Sequence, residues 1–144
     1  MKRIIVLLVM AAVIAATAGF TRPGRSGTLH VTKECSAYDP TTAGSFCTIT
    51  SSNITVIRAG MKVVYASAAD LSAGTLDSDL VVDGPGHNAA FGHVVLDLHT
   101  LSGVVTLSGG TGRFTHFRAG PITVACPAFP DCSWDGPYRF SPHD

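Results

Sequence analysis

From Gly27 onwards the chain is a succession of short runs in which apolar and polar residues alternate, and this pattern leaves few folds open. The runs cover residues 29–34, 47–57, 61–68, 76–82, 91–99, 103–107, 122–126 and 134–140, with Gly, Pro, Asn or Asp between most of them. Alternation with period two is the signature of a half-buried strand. No window shows sustained helical periodicity with a cap at each end. Gly84-Pro85-Gly86 is a strong turn signal, and residues 72–74 are a weaker one. Strands without helices must cover their apolar face with one another, as a sandwich or a closed barrel. Closure also removes exposed edges. About eight evenly spaced antiparallel strands in so short a chain predict an all-β fold, a single eight-stranded antiparallel closed β-barrel.

Residues 101–120, LSGVVTLSGGTGRFTHFRAG, are the most distinctive stretch. They predict a strand over 104–107, a glycine break at Gly109, Gly110 and Gly112, and a basic, aromatic segment that re-enters the sheet. Glycines permit positive φ and close approach of chains, which suits a barrel corner. The segment lacks the Lys-Ser/Thr ending of a phosphate loop, and no helical run follows it.

The start of the chain has a different character. Lys2 and Arg3 precede an uncharged apolar run over 4–16, and Ala16-Thr17-Ala18 is an A-x-A cleavage site. This predicts a secretory signal peptide over residues 1–18, a flexible segment over 19–27 and one barrel domain over 28–144. The run is shorter than the about 20 apolar residues of a spanning helix. The expected location is therefore extracellular, with no membrane association after cleavage. The positive mean hydropathy of +0.32 is inflated by this leader. Without it, eight Lys and Arg stand against ten Asp and Glu, a net charge of −2 with histidines neutral. No basic excess points to nucleic acid.

Cys35, Cys47, Cys126 and Cys132 all lie in the mature part. An even count in a secreted chain predicts two disulfides. Three pairings exist. Cys35–Cys47 and Cys126–Cys132 are preferred because each brackets a loop bearing Pro or Gly. Zinc is the competing reading, but the spacings are looser than zinc-binding cysteine pairs use.

Alternation also sorts the side chains. Leu76, Ser78, Leu80 and Val82 should point inward, as should Val94, Leu96 and Leu98; Asp77, Asp79 and Val81 should point outward. Over 61–68 the pattern is ambiguous, with Val63 and Tyr65 on one face and Lys62 and Val64 on the other. Asp77 and Asp79, two apart on one face, have the spacing of carboxylates that share a proton or flank a substrate; the plainer reading is a solvated face. The six histidines, His30, His87, His93, His99, His116 and His143, are dispersed. His93 and His99 share a face but stand roughly 20 Å apart along an extended strand, so no metal site is expected. His116, between aromatics beside the glycines, is a candidate acid or base. No Gly-x-Ser-x-Gly supports a hydrolase triad. Trp134, Tyr138 and Phe140 read as the core face of the last strand.

Gly60-Met-Lys-Val-Val-Tyr65, Leu76-Asp-Ser-Asp-Leu80, Phe91-Gly-His-Val-Val-Leu-Asp97 and above all Ser108-Gly-Gly-Thr-Gly-Arg-Phe114 resemble the allene oxide cyclase-like and dirigent-like barrel superfamily, in particular its small secreted bacterial members. The likeness covers roughly residues 47–126. It implies an eight-stranded barrel with an apolar lumen, no cofactor, and homo-oligomers such as the dimers and trimers of the plant relatives. Allene oxide cyclases close an unsaturated epoxide, and dirigent proteins steer radical or quinone-methide coupling. In both, the barrel acts by holding a greasy substrate in one conformation. Arg118 matches the arginine that follows the glycine motif in dirigent proteins. Tyr65, Asp77 and Asp79 are site candidates by strand only, and Arg113 stands where the motif is variable.

Three functions follow as expectations. The first is a non-catalytic module that binds a small hydrophobic ligand or a partner. The second is a cofactor-free cyclase or stereo-directing protein acting on a lipid- or phenol-derived substrate. The third is a structural extracellular protein with a packed lumen. Ionisable groups inside the lumen favour the second; a lumen of Val, Leu, Ile and Phe alone favours the first or third.

Overall fold

The computed structural model describes residues 25–142. The expected signal peptide, most of the segment that follows it, and His143 lie outside the described residues. Eight strands occur in chain order: β1 (Ser26–Glu34), β2 (Phe46–Ser52), β3 (Lys62–Tyr65), β4 (Thr75–Asp83), β5 (Ala89–Asp97), β6 (Ser102–Thr111), β7 (Phe117–Ala128) and β8 (Asp131–Phe140). Each pairs antiparallel with the next, and β8 returns to pair with β1 along its whole length, from Ser26 opposite Arg139 to Glu34 opposite Asp131. The result is a closed up-and-down barrel with no free edge.

The period-two pattern decides what lies inside. Leu29 and Val31 on β1, Leu76, Ser78, Leu80 and Val82 on β4, and Val105 and Leu107 on β6 are buried, while Asp77, Asp79 and His93 face solvent. Ser78 is accommodated because its hydroxyl accepts from Ser67 N–H and donates to the Asp79 carbonyl. Val63 and Tyr65 are the inward residues of β3, which resolves the ambiguous strand. Trp134 is fully buried; Tyr138 and Phe140 are part-buried and pack on Phe117.

Two segments depart from the pattern. The Thr- and Ile-rich run beginning at Cys47 leaves the sheet at Ser52. Beyond it both Val56 and Ile57 are buried, so alternation is lost and the β2–β3 loop folds into the core. The glycine stretch is not a break: β6 runs through Gly109 and Gly110 to Thr111, and a single 3-10 turn at Gly112–Phe114 precedes β7. Phe114 of that turn is fully buried. The β2–β3 and β6–β7 loops lie at the same end of the barrel, and their Ile57 and Phe114 fill it.

Gly110 is needed for close approach rather than for an unusual φ. A Cβ there would stand 1.9 Å from the Ala89 carbonyl oxygen on β5. Backbone cannot yield as a flexible side chain does, so Gly110→Ala should cost at least the upper end of the about 1–3 kcal/mol typical of overpacking. Chemical denaturation checks this, with the exposed Ser108→Ala as control; equal midpoints would refute it. On β7, Pro121 has no N–H to donate and sits where pairing with β8 skips from Ala119 to Thr123, a position where a sheet tolerates proline.

Both preferred disulfides form: Cys35–Cys47 joins β2 to the residue after β1, and Cys126–Cys132 ties β7 to β8. They are adjacent, with Cys35 Sγ 4.0 Å from Cys132 Sγ. Neither sulfur carries a proton, so this is a packing contact between bridges at the barrel end opposite Phe114.

Candidate functional site

On β1 the inward series is Leu29, Val31, Lys33, and Cys35 continues it just past the strand. The third member is a lysine, only 4% exposed. A β-bulge sits at its level, where the pairing with β2 shifts from Thr32–Ser51 to Lys33–Ile49; such bulges re-aim side chains. Lys33 Nζ lies 2.5 Å from Tyr65 Oη, to which it donates, and Tyr65 Oη donates to Cys47 Sγ at 3.8 Å. The ammonium position is walled by aromatic faces, 5.0 Å from the Trp134 ring centroid and 5.3 Å from that of Tyr65. Tyr38 packs edge-on against Tyr65, centroids 5.3 Å apart.

The electrostatics follow from burial. Desolvation disfavours the charged amine and brings the Lys33 pKa down to about 7. The same burial, with the nearby Tyr38 adding to it, pushes the Tyr65 phenol up. Tyr65 therefore remains a protonated donor at any physiological pH. Among the described residues no carboxylate pairs with Lys33, which is unusual for a buried lysine. Two further donors nearby, Tyr38 Oη and Trp134 Nε1, are buried and have no hydrogen-bond partner among the described residues. The cluster thus offers donors to a polar atom within a mainly apolar interior, where Ser45 and Ser78 are the other buried polar side chains among the described residues.

A groove of about 330 Å³ meets the barrel wall at Lys33 and Cys132 and runs past Thr50, Pro127 and Asp131. Two of the exposed large hydrophobics, Leu71 and Phe129, lie on loops at this same end, before β4 and before β8.

The other candidates are dispersed. Arg118 faces outward on β7, directly opposite the exposed Arg139 of β8, and lines an outer groove of about 490 Å³ with Tyr138. Asp77 and Asp79 stand on the outer wall of β4, brought together by His93: its Nε2 contacts Asp77 at 2.6 Å and its Nδ1 contacts Asp79 at 2.9 Å. With both ring nitrogens donating, the imidazolium is favoured, and His93 is raised above its ordinary pKa, by Asp79 first and then Asp77. His116 is half-buried beside the 3-10 turn at the far end. Of the sequence candidates, only Tyr65 belongs to the lumen cluster. Its partner Lys33 was missed, although the alternation of Leu29, Val31 and Cys35 about it carried the signal.

No group of three or more potential metal ligands occurs among the described residues, and no helix among them is long and apolar enough to cross a membrane. Comparison with protein-family models, with curated proteins and with solved structures finds no match for this chain.

Proposed function

We propose that this is a secreted barrel of the allene oxide cyclase-like and dirigent-like type that binds a small hydrophobic molecule bearing one polar group. The observation that carries the reading is the Lys33–Tyr65 pair: a buried amine and a phenol held as donor, with, among the described residues, no counter-ion for the amine and no partner for two further donors, Tyr38 Oη and Trp134 Nε1. Buried polar groups are ordinarily satisfied, and a ligand's oxygen placed among these would satisfy them. Apart from Ser45 and Ser78, the other buried side chains among the described residues are apolar, led by Leu29, Val31, Ile49, Val63 and Leu80, and match an aliphatic or aromatic body. The two disulfides suit an extracellular setting.

The same pair supports a second reading. Ionisable groups inside the lumen are what a cofactor-free cyclase or stereo-directing protein needs to polarise a bound substrate. On this reading Lys33 and Tyr65 act on the substrate, while Arg118, Asp77 and Asp79 remain on the outer wall.

Native mass spectrometry of the mature protein purified from its own culture medium, beside a denatured lipid extract, tests the binding reading. A co-purifying apolar molecule that is lost from Lys33→Met is the expected result. A bare barrel that also fails to take up 1-octanol or octanoate would overturn it, and leave a structural role for a packed lumen.

A further inference from the structure

We propose that Lys33 is a nucleophile that captures a small apolar aldehyde or ketone as a Schiff base at the disulfide end of the lumen. The inference rests on the ligand-binding reading above and names the ligand's reactive group.

Structural burial of a lysine usually brings a carboxylate with it, because an unpaired charge is expensive to desolvate. Lys33 has none among the described residues; its neighbours are a phenol, two aromatic faces and a disulfide sulfur behind the phenol. Such an environment selects the neutral amine, which is the nucleophilic form. With its pKa lowered to about 7 by burial, Lys33 has a neutral form that is well populated near neutral pH, against roughly one in a few thousand for a lysine at the ordinary value of about 10.4. A carboxylate ligand would need the ammonium and would bury a second charge, with no arginine among the groups around Lys33 to share it. A carbonyl compound needs neither.

The groups fit each stage. The amine lone pair adds to the carbonyl carbon, and one of the amine's two hydrogens passes as a proton to the carbonyl oxygen, giving the hydroxyl of a carbinolamine. That hydroxyl leaves as water with the second N–H proton as the nitrogen's lone pair closes the C=N bond. One aldehyde and one amine give one imine and one water, with no change of oxidation state. Tyr65 O–H, kept protonated by its burial, turns from its long contact with Cys47 Sγ to donate to the oxygen as it gains charge, and the indole N–H of Trp134, without a partner among the described residues, is a second donor. The imine is neutral when deprotonated, so capture replaces a costly buried amine by a group the lumen tolerates. On this proposal the aldehyde enters at the disulfide end, where Lys33 and Cys132 back an outer groove of about 330 Å³.

The chain has three lysines, Lys2, Lys33 and Lys62, and Lys2 falls in the expected leader. Exposed Lys62 on β3 is therefore an internal control. The disulfide-intact mature protein is incubated with octanal and sodium cyanoborohydride at pH 7.5, which reduces the imine to a stable secondary amine. Peptide mapping should find the adduct on Lys33 in at least tenfold preference to Lys62, competed by 1-octanol and slowed several-fold in Tyr65→Phe. Lys33→Met should lose it while its near-ultraviolet circular dichroism stays native. Equal labelling of the two lysines, or labelling of Lys62 alone, overturns the proposal. If native mass spectrometry then still shows 1-octanol or octanoate bound, the ligand-binding reading stands without the covalent step. If neither binds, both fail.

Discussion

Between pH 7 and pH 10 the folded protein should become more stable by about 4 kcal/mol through Lys33 alone, and Lys33→Met should abolish that gain. Burial lowers the folded-state pKa to about 7, while the unfolded value is near 10.5. Between these values the unfolded chain holds a proton on this amine that the folded chain does not. Stability therefore rises with pH across the window, by about 1.4 kcal/mol per unit, and is lost as pH falls from 10 towards 7. Below pH 7 both states are protonated and the dependence from this group is flat. Above pH 10 Tyr65 opposes it, because its phenol is raised and only the unfolded chain releases that proton. The groups that face Lys33 are Tyr65 from β3 and Trp134 from β8, with Tyr38 and the Cys35–Cys47 bridge behind Tyr65. Urea unfolding of both proteins at pH 6, 7, 8 and 9, with disulfides intact, isolates the effect, since all other titrating groups cancel in the difference. Lys33→Met should be the more stable protein at pH 7 and below, and the two should converge towards pH 10. Parallel stability curves would show that Lys33 is solvated in the native state, and the lumen cluster would lose its electrostatic basis.

The contrast between Lys33 and the strand around it shows what the sequence carries and what it does not. Period-two alternation suffices to place Leu76, Ser78, Leu80 and Val82 inside and Asp77 and Asp79 outside, because a half-buried strand has only two faces. The disulfide pairs were legible because each closes one local loop. Lys33 obeys the same alternation, yet a lysine in a strand ordinarily marks the solvent face, so chemistry and periodicity gave opposite answers and periodicity was right. Its meeting with Tyr65 was beyond reach, since β1 and β3 are not neighbours in the sheet and touch only once the barrel is closed. The glycine stretch was misjudged for a related reason. Gly109 and Gly110 look like a break in one strand, but Gly110 lies against Ala89 of another, and only the register of β5 with β6 reveals the need. The run after Ser52 misled because buried Ile54, Val56 and Ile57 resemble a strand in composition while serving as a loop that fills the barrel end. Of the site candidates, Arg118 came from a motif, which says nothing of which wall it faces, whereas alternation had already put Asp77 and Asp79 on the outer one.

Trp134 separates the stabilising and the ligand-facing parts of the lumen cluster. Its side chain is fully buried, registered between Val31 of β1 and Val124 of β7, and its ring is the wall 5.0 Å from Lys33 Nζ. Trp134→Ala removes the largest fully buried side chain from the barrel and should cost about 3–5 kcal/mol, the usual range for an aromatic truncated in a core. It should also bring water to Lys33 and so reduce the slope of stability with pH described above. Trp134→Phe should behave differently. The phenyl ring keeps most of the apolar contact, and the change deletes an indole N–H that has no partner among the described residues. An orphaned buried donor costs about 1–3 kcal/mol, which offsets much of the lost volume. The expected net loss is within about 1.5 kcal/mol, in the range of conservative core changes. Denaturant midpoints for the two variants check the difference. If Trp134→Phe were as damaging as Trp134→Ala, the indole N–H would have a stabilising partner and could not be waiting for a ligand's oxygen. If it folds normally but takes up less octanal or octanol than the wild type, then the nitrogen that contributes nothing to stability is the one that recognises what enters the lumen.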